Sequence, residues 1–240
     1  MNIAGNIKRV EDRIAAACAR ARRDPAEVSL VGISKQKSAD DIICAIEAGL
    51  QHIGENRVEE GIKKIPRVLE GASNSVTWHM VGHVQSRKAK HVAKIFDVVQ
   101  SIDSVRLAQR LSRLAVDENR ELDVLLEINV SGEASKYGFK GYNWYRDAAV
   151  LEGLLDAHGE IMQLQNLKVR GLMTMAPLGA GDSTNRRVFA DLFALREEMQ
   201  SAANMPLPEL SMGMTDDFEL AIEEGATMVR VGRAIFGDRT

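Results

Sequence analysis

The chain has 240 residues, with 31 Lys and Arg against 34 Asp and Glu for a formal charge of −3, and 45% of it is apolar. That length suits one barrel-sized domain of roughly 200–250 residues, here 1–240, and leaves no room for a second large catalytic domain. The near-neutral charge argues against nucleic acid and against an anionic membrane as partners, and Cys18 and Cys44 form neither a C-x-x-C motif nor a Cys/His cluster, which excludes a disulfide framework and a zinc site.

The chain opens with Ile3, Ile7, Val10, Ile14 and Ala17 or Cys18 at helical spacing, the apolar stripe of an amphipathic helix expected to cover one end of a larger body. Charges scattered through this segment argue against a signal peptide and a spanning segment, so a soluble protein of the reduced cytoplasm is expected. Short β-branched runs then alternate with longer amphipathic stretches. Strands are predicted at 28–34, 51–54, 77–82, 97–102, 122–130, 167–173, 209–212 and 227–231, and eight is the number that closes a (β/α)8 barrel. An open doubly wound sheet would have a Gly-rich first turn, whereas this one reads Ser34-Lys35-Gln36-Lys37-Ser38. The stretch 176–183 reads as a long loop after the sixth strand and not as a domain boundary.

In such a barrel, functional groups gather at the carboxyl ends of the strands. Lys35 follows the first run on the face of Val31 and Ile33, which aims its ammonium into the barrel mouth or, as for most lone lysines, out into solvent. After the seventh strand comes Leu210-Ser211-Met212-Gly213-Met214-Thr215-Asp216-Asp217, and after the eighth Val231-Gly232-Arg233. The Ser211 hydroxyl and the glycines suit an anion cradle at the place where barrels often bind phosphate. The alternative is that Thr215 or Asp216 caps a helix over 217–224 while Gly232 eases a turn. Arg230, within a β-branched run, is costly to bury unless it is paired or faces a ligand. Asn56 and His79 are further polar groups near strand ends; His79 also fits a hydrogen-bonded core histidine, and no carboxylate lies between it and His83, so no metal site is read. A lysine at one strand end, a phosphate cradle across the mouth and an arginine beside it point to a phosphorylated aldehyde held as a Schiff base, with pyridoxal 5′-phosphate as the candidate.

Eight segments carry a resemblance in order along the chain: Gly32-Ile33-Ser34-Lys35, Ile53-Gly54-Glu55-Asn56, Trp78-His79-Met80-Val81-Gly82, Gln100-Ser101-Ile102-Asp103, the stretch from Ile128 through Phe139, Arg170-Gly171-Leu172-Met173-Thr174-Met175-Ala176, Leu210 to Asp217, and Val229 to Gly237. Together they resemble the pyridoxal phosphate homeostasis proteins, single-barrel relatives of the alanine racemase N-terminal domain. The resemblance implies a (β/α)8 TIM barrel of that type with an extra N-terminal helix, monomeric or weakly associating. It implies pyridoxal phosphate carried on Lys35, its phosphate held by Ser211, Gly213, Gly232 and the backbone at Arg233, and Arg230 set against the ring nitrogen. It also counts Asn56, His79, Met173 and Thr215 among the cofactor-binding residues. The function implied is vitamin B6 homeostasis without established turnover and without catalytic residues, the cofactor being buffered or delivered to apo-enzymes that use it. The alternative is an amino-acid racemase, which needs a second acid–base group opposite Lys35. In alanine racemases that group is a tyrosine from a second domain and the partner subunit, and here the only tyrosines are Tyr137, Tyr142 and Tyr145. The chain departs from the family pattern at Arg57, where an aromatic residue is usual, across 84–88, and at Arg233, where a small hydroxyl residue commonly stands. The last change removes a hydroxyl donor while leaving the backbone N–H.

Overall fold

All eight predicted strand runs form in the computed structural model, which describes residues 2–238. In chain order the elements are α1 (Ile3–Ala21), β1 (Ser29–Ile33), α2 (Ala39–Glu47), β2 (His52–Glu55), α3 (Val58–Gly71), β3 (Thr77–Met80), α4 (Ala89–Ile95), β4 (Val98–Ile102), α5 (Val105–Asp117), β5 (Leu122–Asn129), β6 (Phe139–Lys140), α6 (Ala148–Met162), β7 (Leu167–Met173), α7 (Asp182–Ala203), β8 (Glu209–Met214), α8 (Phe218–Glu223), β9 (Met228–Val231) and α9 (Arg233–Phe236). The strands run parallel in the order β4-β3-β2-β1-β9-β8-β7-β5, and pairing of β4 with β5 closes the ring. The sequence reading missed β6, a two-residue strand that pairs with the end of β5 outside the ring and carries no β-branched run to announce it.

The N-terminal helix forms as its apolar stripe requires, with Ile3, Ile7, Val10, Ile14, Ala17 and Cys18 buried. It does not cover an end of the barrel as expected. It packs against α8, α9 and α2 in the outer layer, tied there by the pairs Arg13–Glu219 and Arg20–Glu223 and by Asn6 Nδ2 donating to the Ile235 carbonyl at 2.7 Å.

Two cores result. The large one lies between strands and helices, and a small separate cluster of Val31, Ile33, Val81 and Met228 fills part of the barrel interior. Val31 and Ile33 therefore do point inward, as their alternation along β1 predicts.

Candidate cofactor site

Lys35 stands on the turn that leaves β1, where α2 begins with a Ser38–Asp41 capping box and the Lys37 N–H donates to the Ser34 carbonyl at 3.0 Å. It is half-buried and lines a cavity of about 530 Å3 at the carboxyl ends of the strands. Across that cavity run Thr215 and Asp216 of the β8–α8 loop and Gly232 and Arg233 of the β9–α9 turn. The β8–α8 loop takes its shape from Gly213, at φ +91, where a Cβ would lie 2.6 Å from that of Ala221, and from Asp217, whose Oδ1 accepts the Met214 N–H at 2.6 Å. Asp217 is thus the residue that closes this turn, in place of the predicted Thr215 or Asp216, and the helix begins one residue later than expected, at Phe218. At the other turn, the first N–H groups of α9 have no partner within the helix, and Gly232 lies close enough to β1 that a Cβ would meet the Ile33 carbonyl oxygen at 3.3 Å.

Asn56 forms another part of the wall. Its position depends on Gly82, where a Cβ would come within 2.1 Å of the Asn56 carbonyl oxygen, so the β3 exit can approach the β2 exit only without a side chain. The Asn56 Oδ1 is buried and has no hydrogen-bond partner in the protein. A buried amide oxygen left this way costs free energy unless a ligand donor meets it.

Arg230 closes the floor. Its guanidinium is buried, with Nη1 donating to Ser211 Oγ at 2.7 Å and Nη2 to the Thr174 carbonyl at 2.8 Å. From there a chain of donors crosses the barrel interior. Ser211 Oγ donates to Gln100 Oε1 at 2.7 Å, the Gln100 amide nitrogen lies 2.9 Å from His79 Nδ1, and His79 Nε2 lies 3.1 Å from His52 Nδ1. Because Ser211 and Gln100 set the direction, His79 accepts at Nδ1 and carries its proton on Nε2. Burial, with His52 adding to it, pushes His79 down to about 3, so it is neutral at physiological pH. Burial also lowers Arg230, to about 10, against the pull of the nearby Asp217 and Glu127 carboxylates; it remains a cation at neutral pH. Glu127, on β5, is pushed up to about 7 by burial and then by Asp103, with Arg230 acting in the other direction.

Of the residues predicted to bind a cofactor, Lys35, Asn56, Thr215, Arg230, Gly232 and Arg233 line the cavity. His79 and Ser211 lie beneath it in the buried chain, so Ser211 supports Arg230 and its hydroxyl is already committed to Gln100. Met173 is likewise fully buried, paired in register with Ser211, and Gly213 shapes the loop from behind against α8. The Arg233 side chain is paired with Asp216 at the rim. Sequence reasoning missed Gln100, Glu127 and the apolar lining residues Met175, Leu178 and Met214. Glu127 carried a usable signal, since a lone glutamate within Leu122–Asn129 is as costly to bury as Arg230. Among the described residues, no group of His, Cys, Asp and Glu gathers to hold a metal, and no helix is long and apolar enough to cross a membrane.

Comparison with known proteins gives a consistent result. The family described as alanine racemase, N-terminal domain, matches residues 6–240. A pyridoxal phosphate homeostasis protein of Aquifex aeolicus is 38% identical over 239 residues, covering 100% of this chain and 99% of its own length. One of Pseudomonas aeruginosa is 41% identical over 237 residues, covering 99% and 96%. Among solved structures, PipY of Synechococcus elongatus PCC7942 with PLP bound is 35% identical, with a TM-score of 0.80 over 95% of this chain and 100% of that one.

Proposed function

This chain belongs to the alanine racemase N-terminal-domain family, and within it to the pyridoxal phosphate homeostasis proteins, and from that premise we propose that it binds pyridoxal 5′-phosphate in the cavity and holds it covalently through the Lys35 amine. The observation that carries this reading is the placement of a lysine on the wall and a buried arginine on the floor of one cavity of about 530 Å3, a size suited to a cofactor of this class, whose pockets run to roughly 300–1,000 Å3. The residues fit the group. Asn56 offers an unsatisfied acceptor, and the turns at Thr215 and at Gly232 and Arg233 offer backbone and hydroxyl donors for a phosphate. When bound, the cofactor supplies an aldehyde that condenses reversibly with a primary amine.

The chain's own residues favour holding over turnover. Arg230 keeps a permanent positive charge beneath the cavity, which disfavours a protonated pyridine ring and so weakens the cofactor as an electron sink. Among the described residues no tyrosine lines the cavity as the second acid–base group of a racemase would, Tyr137 stacking on His83 instead; the other titratable groups on the wall are Lys37, Asp216, which pairs with Arg233, and Asp238. A carrier that passes its cofactor to apo-enzymes is the function we assign, as one barrel acting alone.

The test compares absorption spectra of the wild type and Lys35→Ala with and without pyridoxal phosphate, followed by borohydride reduction and peptide mass analysis. A reducible visible band in the wild type, with the modified peptide carrying Lys35, and no such band in Lys35→Ala, is expected. A band that persists in Lys35→Ala would move the anchor elsewhere, and α-hydrogen exchange of amino acids by the loaded protein would restore the racemase reading.

A further inference from the structure

The turn that carries Lys35 is gripped from both sides. Before it, Ser34 Oγ donates to Glu55 Oε1 at 2.6 Å. Lys64 Nζ donates to the Ser34 carbonyl at 2.8 Å, to Glu55 Oε1 at 2.9 Å and to Glu60 Oε2 at 2.7 Å. After it, the same Glu60 Oε2 accepts the Gln36 N–H at 2.6 Å. One ammonium, on Lys64 of α3, therefore ties together the residues on either side of Lys35.

Three features separate this grip from an ordinary surface ion pair. Glu55 is fully buried and the Lys64 side chain only 12% exposed, so the bonds form away from bulk water; burial pushes the Glu55 carboxyl up against the pull of Ser34 and Lys64, which makes it depend on those two partners. Gln36 lies at φ +61, a left-handed conformation costly for a residue with a Cβ, and the bond from its N–H to Glu60 holds it there. Burial pushes Glu60 up, but Lys64 and the Gln36 N–H outweigh it and hold the carboxyl below its ordinary range. The turn does not need the grip in order to close, because the Ser38–Asp41 capping box and the bond from Lys37 to Ser34 already close it. Neither Glu55, Glu60 nor Lys64 lines the cavity, so they act on a ligand there only through the turn.

We propose that Glu55, Glu60 and Lys64 are positioning residues that hold the Lys35 turn so that its amine meets the aldehyde of the bound cofactor. The inference rests on the reading of Lys35 as the anchor. In the step that the grip favours, the Lys35 nitrogen adds to the aldehyde carbon, a carbon–nitrogen bond forms, and the carbonyl oxygen leaves as water with the two protons of the amine. A fixed turn removes the conformational search that otherwise precedes this addition.

The test uses Lys64→Met, which cuts the grip at its centre, Glu60→Ala, which releases the Gln36 N–H without leaving a buried charge, and Lys64→Arg, which keeps charge and donors. Each is assayed for the rate of borohydride-trappable adduct at Lys35 and for affinity toward pyridoxal phosphate and pyridoxine 5′-phosphate, which has an alcohol in place of the aldehyde. Lys64→Met and Glu60→Ala are expected to slow adduct formation and weaken pyridoxal phosphate binding about tenfold, with pyridoxine phosphate affinity kept within about twofold and Lys64→Arg restoring most of the loss. Should Lys64→Met fail to fold, Glu60→Ala decides. Wild-type rates in the folded variants, or equal losses for both ligands, would overturn the positioning role while leaving Lys35 as the anchor. A wild type that forms no adduct at Lys35 would remove the anchor and the positioning role together.

Discussion

The floor and the Lys35 wall of the cavity are both polar, but they are built on different electrostatic plans. On the floor a buried cation, Arg230, bonds directly only to neutral groups, the Thr174 carbonyl and the Ser211 hydroxyl with Gln100, His79 and His52 behind it, while the buried Asp217 and Glu127 carboxylates act on it from a distance. At the wall one ammonium, Lys64, bonds directly to two carboxyl groups, Glu60 and the buried Glu55, which burial pushes up. The interior of a closed barrel offers no water to an unpaired charge, so each link of the floor depends on the next. At the wall α3 brings its side chains in from outside the ring, and each bond ends on the residues flanking Lys35 or on another member of the grip. Damage to the floor is therefore expected to reach the whole fold, while release of Glu60 at the wall stays with the Lys35 turn.

The largest effect that would test this contrast is expected from Gln100→Leu. Gln100 is fully buried and accepts from Ser211 while its amide faces His79 Nδ1. The substitution strands two buried groups, each costing about 1–3 kcal/mol, for a predicted loss of roughly 2–6 kcal/mol in a urea unfolding experiment. Glu60→Ala, at the wall, should cost much less stability. If Gln100→Leu proved the milder of the two, the distinction between a global floor and a local wall would be lost.

The same contrast separates what was legible in the sequence from what was not. The barrel was legible because most strands of the ring carry β-branched residues between amphipathic helical stretches, and Lys35 and Arg230 became legible only together, with the Ser211 and Gly232 cradle across the mouth and the family resemblance beside them. Depth was not legible. Alternation tells that Ser211 and His79 point inward, but whether an inward side chain reaches the cavity or stays beneath it depends on strand stagger, which pairing sets; the register shifts between Ser211 and Met214 where β8 meets β9. The wall was hidden for another reason. Glu60 and Lys64 read as an ordinary i,i+4 pair on a helix, and their bonds to Ser34 and Gln36 join parts of the chain more than twenty residues apart.

A smaller effect follows from the titration of His79. Its folded value, pushed to about 3 by burial and then by His52, lies below the ordinary 6.5, so between those values the unfolded chain binds a proton that the fold refuses. The stability contributed by neutral His79 is present above pH 6.5 and is lost as pH falls toward 3. Glu127, raised to about 7, works the other way as pH rises, which is why the comparison is made against a variant and not on the wild type alone. The stability difference between the wild type and His79→Gln should shift in favour of the variant by about 2 kcal/mol between pH 7 and pH 4.5. Parallel pH profiles for the two proteins would mean that folding does not depress the titration of His79.

The smallest effect is expected at the rim, at Arg233. Arg233 and Asp216 pair with side chains 55% and 73% exposed, so water screens the attraction and the two flexible side chains lose rotamer freedom in forming it. Neither is linked to the Arg230 chain or to the grip on Lys35. Whatever its side chain, the Arg233 position keeps the backbone N–H of the first residue of α9, next to Gly232, which lies close against β1. Arg233→Ala should therefore change stability by less than about 0.5 kcal/mol and pyridoxal phosphate affinity by no more than about threefold. A loss approaching that of Lys64→Met would mean that the guanidinium leaves Asp216 to meet the phosphate, and that the rim takes part in holding the ligand through side chains as well as backbone.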